Sequence, residues 1–393
     1  MDADHRPTIV HIVTALAPGG MERVLVHMLH EWNVDRLRHV VVTLRAAGPL
    51  AQRLPDYTAC RALNITGRSR SAWWSLAGVL RRLRPDVIHA RGAGAWCDTI
   101  LASMLEPCAR VILGFHGWDG LNPVSRETKW AARLARRSGA QFLTVSHSAR
   151  VRLAGEIGLD AEEIGVIPNG VDTQLFRPCD PQTKFQQRHD LGLSPTDLAV
   201  GVVGSLTSIK RHDVALDAFA RVAVNHSALV LLIAGDGPLR GALQARAATL
   251  GMDRRVRFLG WRDDLPSMLP ALDAYVCASD SEGQSNALLE ALACGLPVVT
   301  TNVGDHAALV GQHDSGFVVP CSDPSALAAA LCRLCADDRN RKDMGIRARQ
   351  TVEPLSFSGM ADRYESLYQS LVPGMVPAQE SPREPHRTLV CVP

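Results

Sequence analysis

The chain has 393 residues, of which 46% are hydrophobic, 21% charged and 5% aromatic, and its 42 basic and 40 acidic side chains leave a formal charge of +2. This composition excludes fibrous, disordered and membrane-spanning classes, and so even a balance lacks the broad positive field of a nucleic-acid binder, so no nucleic-acid partner is expected. One hydrophobic core stops growing at roughly 250–300 residues, so two domains are expected.

The opening MDADHRPTIVHIVTALAPGG shares only its small residues with a signal peptide. Its first residues are acidic, His11 breaks the apolar run and Gly19-Gly20 follows, so the stretch reads as a first strand, TIVHIV. Nowhere do the roughly eighteen apolar residues of a membrane helix run together. Further strands are expected at HVVVTL, DVIHAR, RVILGF, QFLTVS and IGVIP. Between them MERVLVHMLHEW, SAWWSLAGVLRRLR and SRETKWAARLARRS read as helices that end in cations, which suit a helix C-terminus. In the second of these, Trp73 and Trp74 with Arg81, Arg82 and Arg84 read as core tryptophans above a solvated basic end. A membrane-surface patch on this N-terminal domain is the alternative.

After VIPNGVDTQLFRP come about twenty polar, proline-containing residues that read as a linker. A second series of strands follows: LAVGVVG, ALVLLIAG, RVRFLG, AYVCAS, PVVTT and GFVVP. Strands alternating with helices imply parallel sheets. The fold class is therefore α/β, with two Rossmann-like, doubly wound parallel-sheet domains facing each other across a cleft. Residues 1–185 form the first and 186–354 the second. Residues 355–372 form a last helix that packs back on the first domain, and the proline-rich tail 373–393 is expected to be disordered. The two walls differ in charge, with 22 basic and 17 acidic side chains in residues 1–180 against 20 and 23 in the remainder. The ten cysteines stand singly in apolar stretches, as buried thiols do, which points to a reducing, cytoplasmic setting. Cys332 and Cys335 lack a second pair to complete a zinc site and read as helix packing.

Doubly wound sheets bind ligands beyond the C-terminal ends of their strands. The densest stretch there is SDSEGQSNALLEALACGLPVVTT, where a strand enters a loop and a helix starts near Ser285. The helix offers free N–H groups to an anion. Glu282 and Glu290 are eight positions apart, about two helical turns, so both can face one ligand. A carboxylate takes two vicinal hydroxyls and a helix N-terminus takes phosphate, so together they describe a sugar nucleotide. The plain alternative is a capped amphipathic helix, but Glu290 interrupts an apolar run where a lone charge is costly. Lys210, after a strand and at a helix start, suits a diphosphate; an exposed first-turn lysine is its bland reading. His116 in ILGFHGWDG also follows a strand. Ser146 reads as a helix cap rather than a nucleophile, and GDGPLRG is a poor dinucleotide fingerprint. The sole D-x-D, Asp2-Ala3-Asp4, lies at the terminus, so no metal and no other cofactor is expected.

The spacing in EGQSNALLE followed by ALACGLPVV, together with APGGMERVL, GFHGWD, VSHSAR, VIPNGVDTQLF, IAGDGP and FLGWRDDL, resembles the retaining nucleotide-sugar glycosyltransferases of family four, which have the GT-B fold. The resemblance spans nearly all of residues 8–372. It implies that Glu290 binds the donor ribose and Glu282 the transferred sugar. The backbone N–H groups of Gly283, Gln284, Ser285, Asn286 and Ala287 would hold sugar and diphosphate, and Gly19 and Gly20 would meet the diphosphate or acceptor. It places Gly237, Trp261 and Arg262 on the donor side, and Arg91, His116 and Asp119 toward the acceptor, with His116, Lys210 and Glu282 catalytic. The family's usual arginine after the glycine is Ser205 here, so Lys210 carries more of the charge or Arg211 assists. The expected activity is transfer of a hexose-type unit from a UDP-sugar to a saccharide or lipid-linked acceptor, as in bacterial exopolysaccharide assembly. A nucleotide-sugar epimerase and a non-catalytic binding protein are the alternatives.

Overall fold

The computed structural model describes residues 6–372 except 18, 33–34, 68–70 and 119–121; Asp119 and the tail from 373 therefore lie outside the described residues. The first sheet comprises β1 (Thr8–Val13), β2 (Arg38–Thr43), β3 (Ala59–Ala62), β4 (Val87–Ala90), β5 (Arg110–Phe115), β6 (Gln141–Thr144) and β7 (Ile164–Val166). The second comprises β8 (Leu198–Val203), β9 (Leu229–Ala234), β10 (Val256–Gly260), β11 (Ala274–Cys277), β12 (Val298–Thr301) and β13 (Gly316–Val319). All pairings are parallel, in the orders β3-β2-β1-β4-β5-β6-β7 and β10-β9-β8-β11-β12-β13. Parallel strands covered on both faces carry continuous apolar runs. This is why β1 and β9 are buried at every position.

The helices of the first domain are α1 (Gly20–Glu31), α2 (Ala72–Leu83), α3 (Trp96–Ser103), α4 (Arg126–Arg137) and α5 (His147–Ile157). Those of the second are α6 (Pro181–Asp190), α7 (His212–Ala223), α8 (Arg240–Thr249), α9 (Leu265–Met268), α10 (Asn286–Ala293), α11 (His306–Gly311), α12 (Pro324–Ala336) and α13 (Asp338–Val352). The chain ends its described part in α14 (Phe357–Leu371). One face of the first sheet buries the row α2 to α5, and the other buries α1 and α14. Trp32 on the α1 side donates its indole N–H to the Ala361 carbonyl, and Arg36 pairs with Glu365 at 2.7 Å, which seats α14 on the first domain.

Three expectations change. The stretch expected as a linker contains α6, capped by Asp180 with Pro181 in its first turn, a favoured helix start. Its Arg188 is buried and bonds Asp273 and the Ala271 carbonyl, which packs α6 on the second domain. Strand β3 was not foreseen: Ala-Cys-Arg-Ala carries no β-branched residue and is only half buried at the sheet edge. Trp74 is not a core residue but 59% exposed, with Trp73 stacked against it at 4.3 Å.

The topology fixes where a ligand binds. Strand order reverses between β1 and β4 in one sheet and between β8 and β11 in the other, and such switch points open a crevice at the strand ends. The loops flanking these points carry Gly19, Gly20 and Arg91 on one side, and Ser205, Lys210 and Glu282 on the other.

Candidate functional site

The loop from β11 to α10 holds the site's charged pair. Lys210 Nζ donates to Glu282 Oε1 at 2.6 Å, and Ser279 Oγ donates to the same oxygen at 2.8 Å. Burial pulls the Lys210 ammonium down, but the Glu282 carboxylate beside it more than offsets this and leaves its pKa raised. Lys210 thus stays charged, with its stem running along Gly204 at the switch point. Ser285 caps α10, accepting from Leu288 N. Among the described residues, no backbone carbonyl takes up the N–H groups of Gly283, Gln284 or Ser285.

Glu290 stands one turn into α10, and its side-chain carboxyl has no hydrogen-bond partner among the described residues. Burial pushes its carboxyl up to about 7, with Arg23 of α1 pulling the other way. Once ionised, a carboxyl without a protein partner can accept from a pair of ligand hydroxyls.

The first domain closes directly over this loop. A Cβ on Gly283 would stand 2.4 Å from the His116 carbonyl oxygen and 3.2 Å from the Gly117 Cα, so the two loops meet backbone to backbone. Gly117 itself has φ of +136°, a conformation only glycine adopts without strain. His116 is half-buried with its Nδ1 enclosed and unpartnered, and desolvation, assisted by the charge of Arg91, holds its pKa down to about 3. The imidazole is neutral at any working pH. Gly20 lies under Asn286, whose Nδ2 donates to the Gly20 carbonyl at 3.2 Å; a Cβ there would stand 3.0 Å from that nitrogen. Gly19 has an extended backbone and begins α1.

Several expected residues take other places. Arg91 is 1% exposed and bonds His11 Nδ1 and the Tyr368 hydroxyl beneath the Tyr364 ring, so it does not reach an acceptor. Arg211, in a left-handed helix-start position, shares its guanidinium among Asp213, Asp280 and Ser322, as Lys210 shares its ammonium with Glu282. Arg262 is taken by Asp264 two residues on. Gly237 packs against Leu206, whose carbonyl oxygen would lie 2.7 Å from a Cβ there, so its small size serves loop packing. Ser205 is exposed at the cleft edge and accepts through its carbonyl from His212. Gln284 and Asn286 turn their side chains to Asn169 at the end of the first domain, at 2.5 and 2.9 Å, which leaves their backbones toward the cleft. Trp261 is 50% exposed, and Arg23 lies 4.6 Å over its ring.

The sequence reading missed four contributors. Arg23 and Asn169 belong to motifs it had quoted, GGMER and VIPNG. Asp305 and His306 follow β12 at the correct strand end, which the topological rule alone would have singled out. Asp305 accepts from His147 N at 2.7 Å and Ser148 N at 2.9 Å, so a second-domain carboxylate sits on the N-terminus of first-domain α5. His306 is buried with Nε2 unpartnered and feels the charges of Glu282 and Lys210. Among the described residues, no cluster of three His, Cys, Asp or Glu side chains has the arrangement of a metal site.

Residues 18–175 match the family described as Glycosyltransferase Family 4, and residues 197–337 match that described as Glycosyl transferases group 1. The UDP-Gal:alpha-D-GlcNAc-diphosphoundecaprenol alpha-1,3-galactosyltransferase of Escherichia coli is 26% identical over 383 residues, covering 93% of this chain and 97% of that protein. The D-inositol 3-phosphate glycosyltransferase of Corynebacterium jeikeium is 34% identical over 219 residues, 53% of this chain and 52% of its own length. Anabaena HepE in complex with UDP and glucose superposes with a TM-score of 0.81 at 22% identity, covering 93% of this chain and 100% of that one. The paired parallel sheets, the charged loop at their facing switch points and the two family matches agree: this chain is a GT-B glycosyltransferase of family four.

Proposed function

We propose that the protein transfers a hexose-type unit from a UDP-sugar to a hydroxyl of a lipid-linked saccharide, with retention of anomeric configuration and without a bound metal. The observation that carries this reading is the Lys210–Glu282 pair at the second sheet's switch point, with the adjoining Gly283 packed on the His116 loop of the first domain and Glu290 within the field of Arg23. Glu290 receives the ribose hydroxyls, Glu282 the sugar, and Lys210 with the free N–H groups of Gly283 to Ser285 the diphosphate. Charge stabilisation at the departing phosphate is the main contribution to rate. The acceptor oxygen bonds to the sugar's anomeric carbon as the bond from that carbon to the phosphate oxygen breaks. The acceptor proton passes to the phosphate oxygen on the same face. The Escherichia coli relative named for UDP-Gal and a diphosphoundecaprenol acceptor supports these choices of donor and acceptor.

A lipid-linked acceptor brings the enzyme to the inner face of the cytoplasmic membrane as a peripheral protein. Exposed Trp74 on α2 and Trp130 on α4, on helices that also carry the exposed Arg82, Arg126, Arg133 and Arg137, support contact through the first domain.

The test is calorimetric titration of UDP, with turnover, for Lys210→Ala and Glu290→Ala. Each is expected to lower donor affinity or kcat/KM by at least about tenfold; wild-type behaviour in both variants overturns the site. Undiminished activity in a chelator supports the metal-free reading, and loss restored by Mg2+ overturns it.

A further inference from the structure

Every second-domain cation near the cleft already has a carboxylate. Lys210 is held by Glu282, Arg211 by Asp213 and Asp280, Arg240 by Asp236 at 3.0 Å, and Arg262 by Asp264. A nucleoside diphosphate brings at least two negative charges, and a wall of neutralised pairs answers them poorly. Position 205, beside Lys210 in the same loop, adds no charge.

Arg23 differs from all of these. It stands in the first turns of α1, whose Gly20 carbonyl accepts from Asn286 at the start of α10. Its guanidinium reaches across the cleft to the exposed Trp261 ring, 4.6 Å away, and among the described residues no carboxylate lies within ion-pair distance of it. Its field reaches Glu290. A planar cation resting on a half-exposed aromatic face is weakly held. A guanidinium bonds a phosphate bidentately and much more strongly.

Resting on the UDP-sugar reading above, we propose that Arg23 is a donor-binding residue supplied by the first domain: on donor binding its guanidinium exchanges the Trp261 face for diphosphate oxygens. The donor's charge is then shared between the two domains, so binding itself draws them together. Trp261 is left open to stack a nucleobase in the place the guanidinium vacates. The contact points toward the donor rather than an acceptor diphosphate, because across the cleft its guanidinium rests on Trp261 and its charge reaches Glu290, both of the second domain.

The test is the affinity of UDP and of uridine, measured by calorimetry or competition, for wild type, Arg23→Ala, Arg23→Lys and Arg53→Ala. Arg53 lies at the same mouth, 3.8 Å from Asp263, and its removal subtracts an equal charge without a role in the site. Arg23→Ala is expected to weaken UDP by at least about tenfold at low salt while uridine changes by less than about twofold, with Arg23→Lys intermediate and Arg53→Ala unchanged. Circular dichroism confirms the fold of each variant. UDP affinity within about twofold of wild type in Arg23→Ala, or equal losses for UDP, uridine and Arg53→Ala, overturns the proposal. If wild type binds UDP and Arg23→Ala binds it equally, only this inference falls; if wild type binds no UDP, the donor reading falls with it.

Discussion

Glu290 shows how one residue links burial to function. A carboxyl raised to about 7 is largely protonated below that pH, and only the carboxylate accepts from two hydroxyls. Affinity for a UDP-hexose, whose diphosphate has no ionisation in this range, is therefore expected to fall as pH drops from 8 to 6, with a proton released on binding near pH 7. Glu290→Gln should make that affinity flat across the range. Calorimetry in two buffers of different ionisation enthalpy reads the proton directly, and an unaltered pH dependence in Glu290→Gln contradicts the assignment. His116, held near 3, adds no limb to the profile in this range. Glu290 was legible in the sequence because it breaks an apolar run. Arg23 was not, since an arginine in a helix's first turns looks like any solvated charge until the opposite wall is in view.

At the scale of elements, α14 does more than cover a face. Its Tyr368 hydroxyl meets His89 Nδ1 at 2.9 Å and Arg91 at 3.1 Å, inside a buried stack of Trp32, His39 and His11. Arg91 has the Tyr364 and Trp32 rings as its surroundings, a setting where every hydrogen bond counts. Tyr368→Phe strips a partner from both a buried cation and a buried imidazole, and is expected to cost about 1–3 kcal/mol in urea unfolding; an unchanged midpoint contradicts it. Helices α2 and α4 carry the membrane prediction. Trp74→Ala with Trp130→Ala should reduce co-sedimentation with anionic phosphatidylglycerol vesicles several-fold, and equal binding by both proteins removes that face from the account. All six strands of the second sheet were legible: the central four, β8, β9, β11 and β12, are largely apolar runs, and the edge strands β10 and β13 are short β-rich stretches that end in glycine or proline. Strand β3 and helix α6 were not. The first has an edge strand's weak pattern, and the second is a polar helix anchored through one buried arginine rather than an apolar stripe.

For the whole molecule, the two chain crossings between domains run side by side: Val171 N donates to the Leu355 carbonyl and Phe357 N to the Val171 carbonyl. Beyond this paired crossing the domains touch through the Gly117–Gly283 approach, the Asp305 cap on α5, Asn169 with Gln284 and Asn286, Asn286 with Gly20, the Arg53–Asp263 pair and the Arg23–Trp261 stack. None of these contacts was legible in either half of the sequence alone, because each joins residues more than a hundred positions apart. Gly283→Ala places a methyl 2.4 Å from the His116 carbonyl oxygen and should hold the loops apart. Turnover is expected to drop at least about tenfold with both domains folded, since misplacing reacting groups by about an ångström is that costly; full turnover contradicts the close approach. The central claim, that the joined switch points transfer a sugar from a nucleotide, is met most directly by incubating purified protein with a panel of UDP-hexoses and a membrane extract. Products are read by mass spectrometry and proton NMR. One UDP-hexose is expected to be consumed with release of UDP, while a lipid-linked saccharide gains one hexose in the donor's anomeric configuration. Isomerised UDP-sugar without acceptor gain, an inverted linkage, or no hexose transferred from any UDP-hexose would contradict the claim.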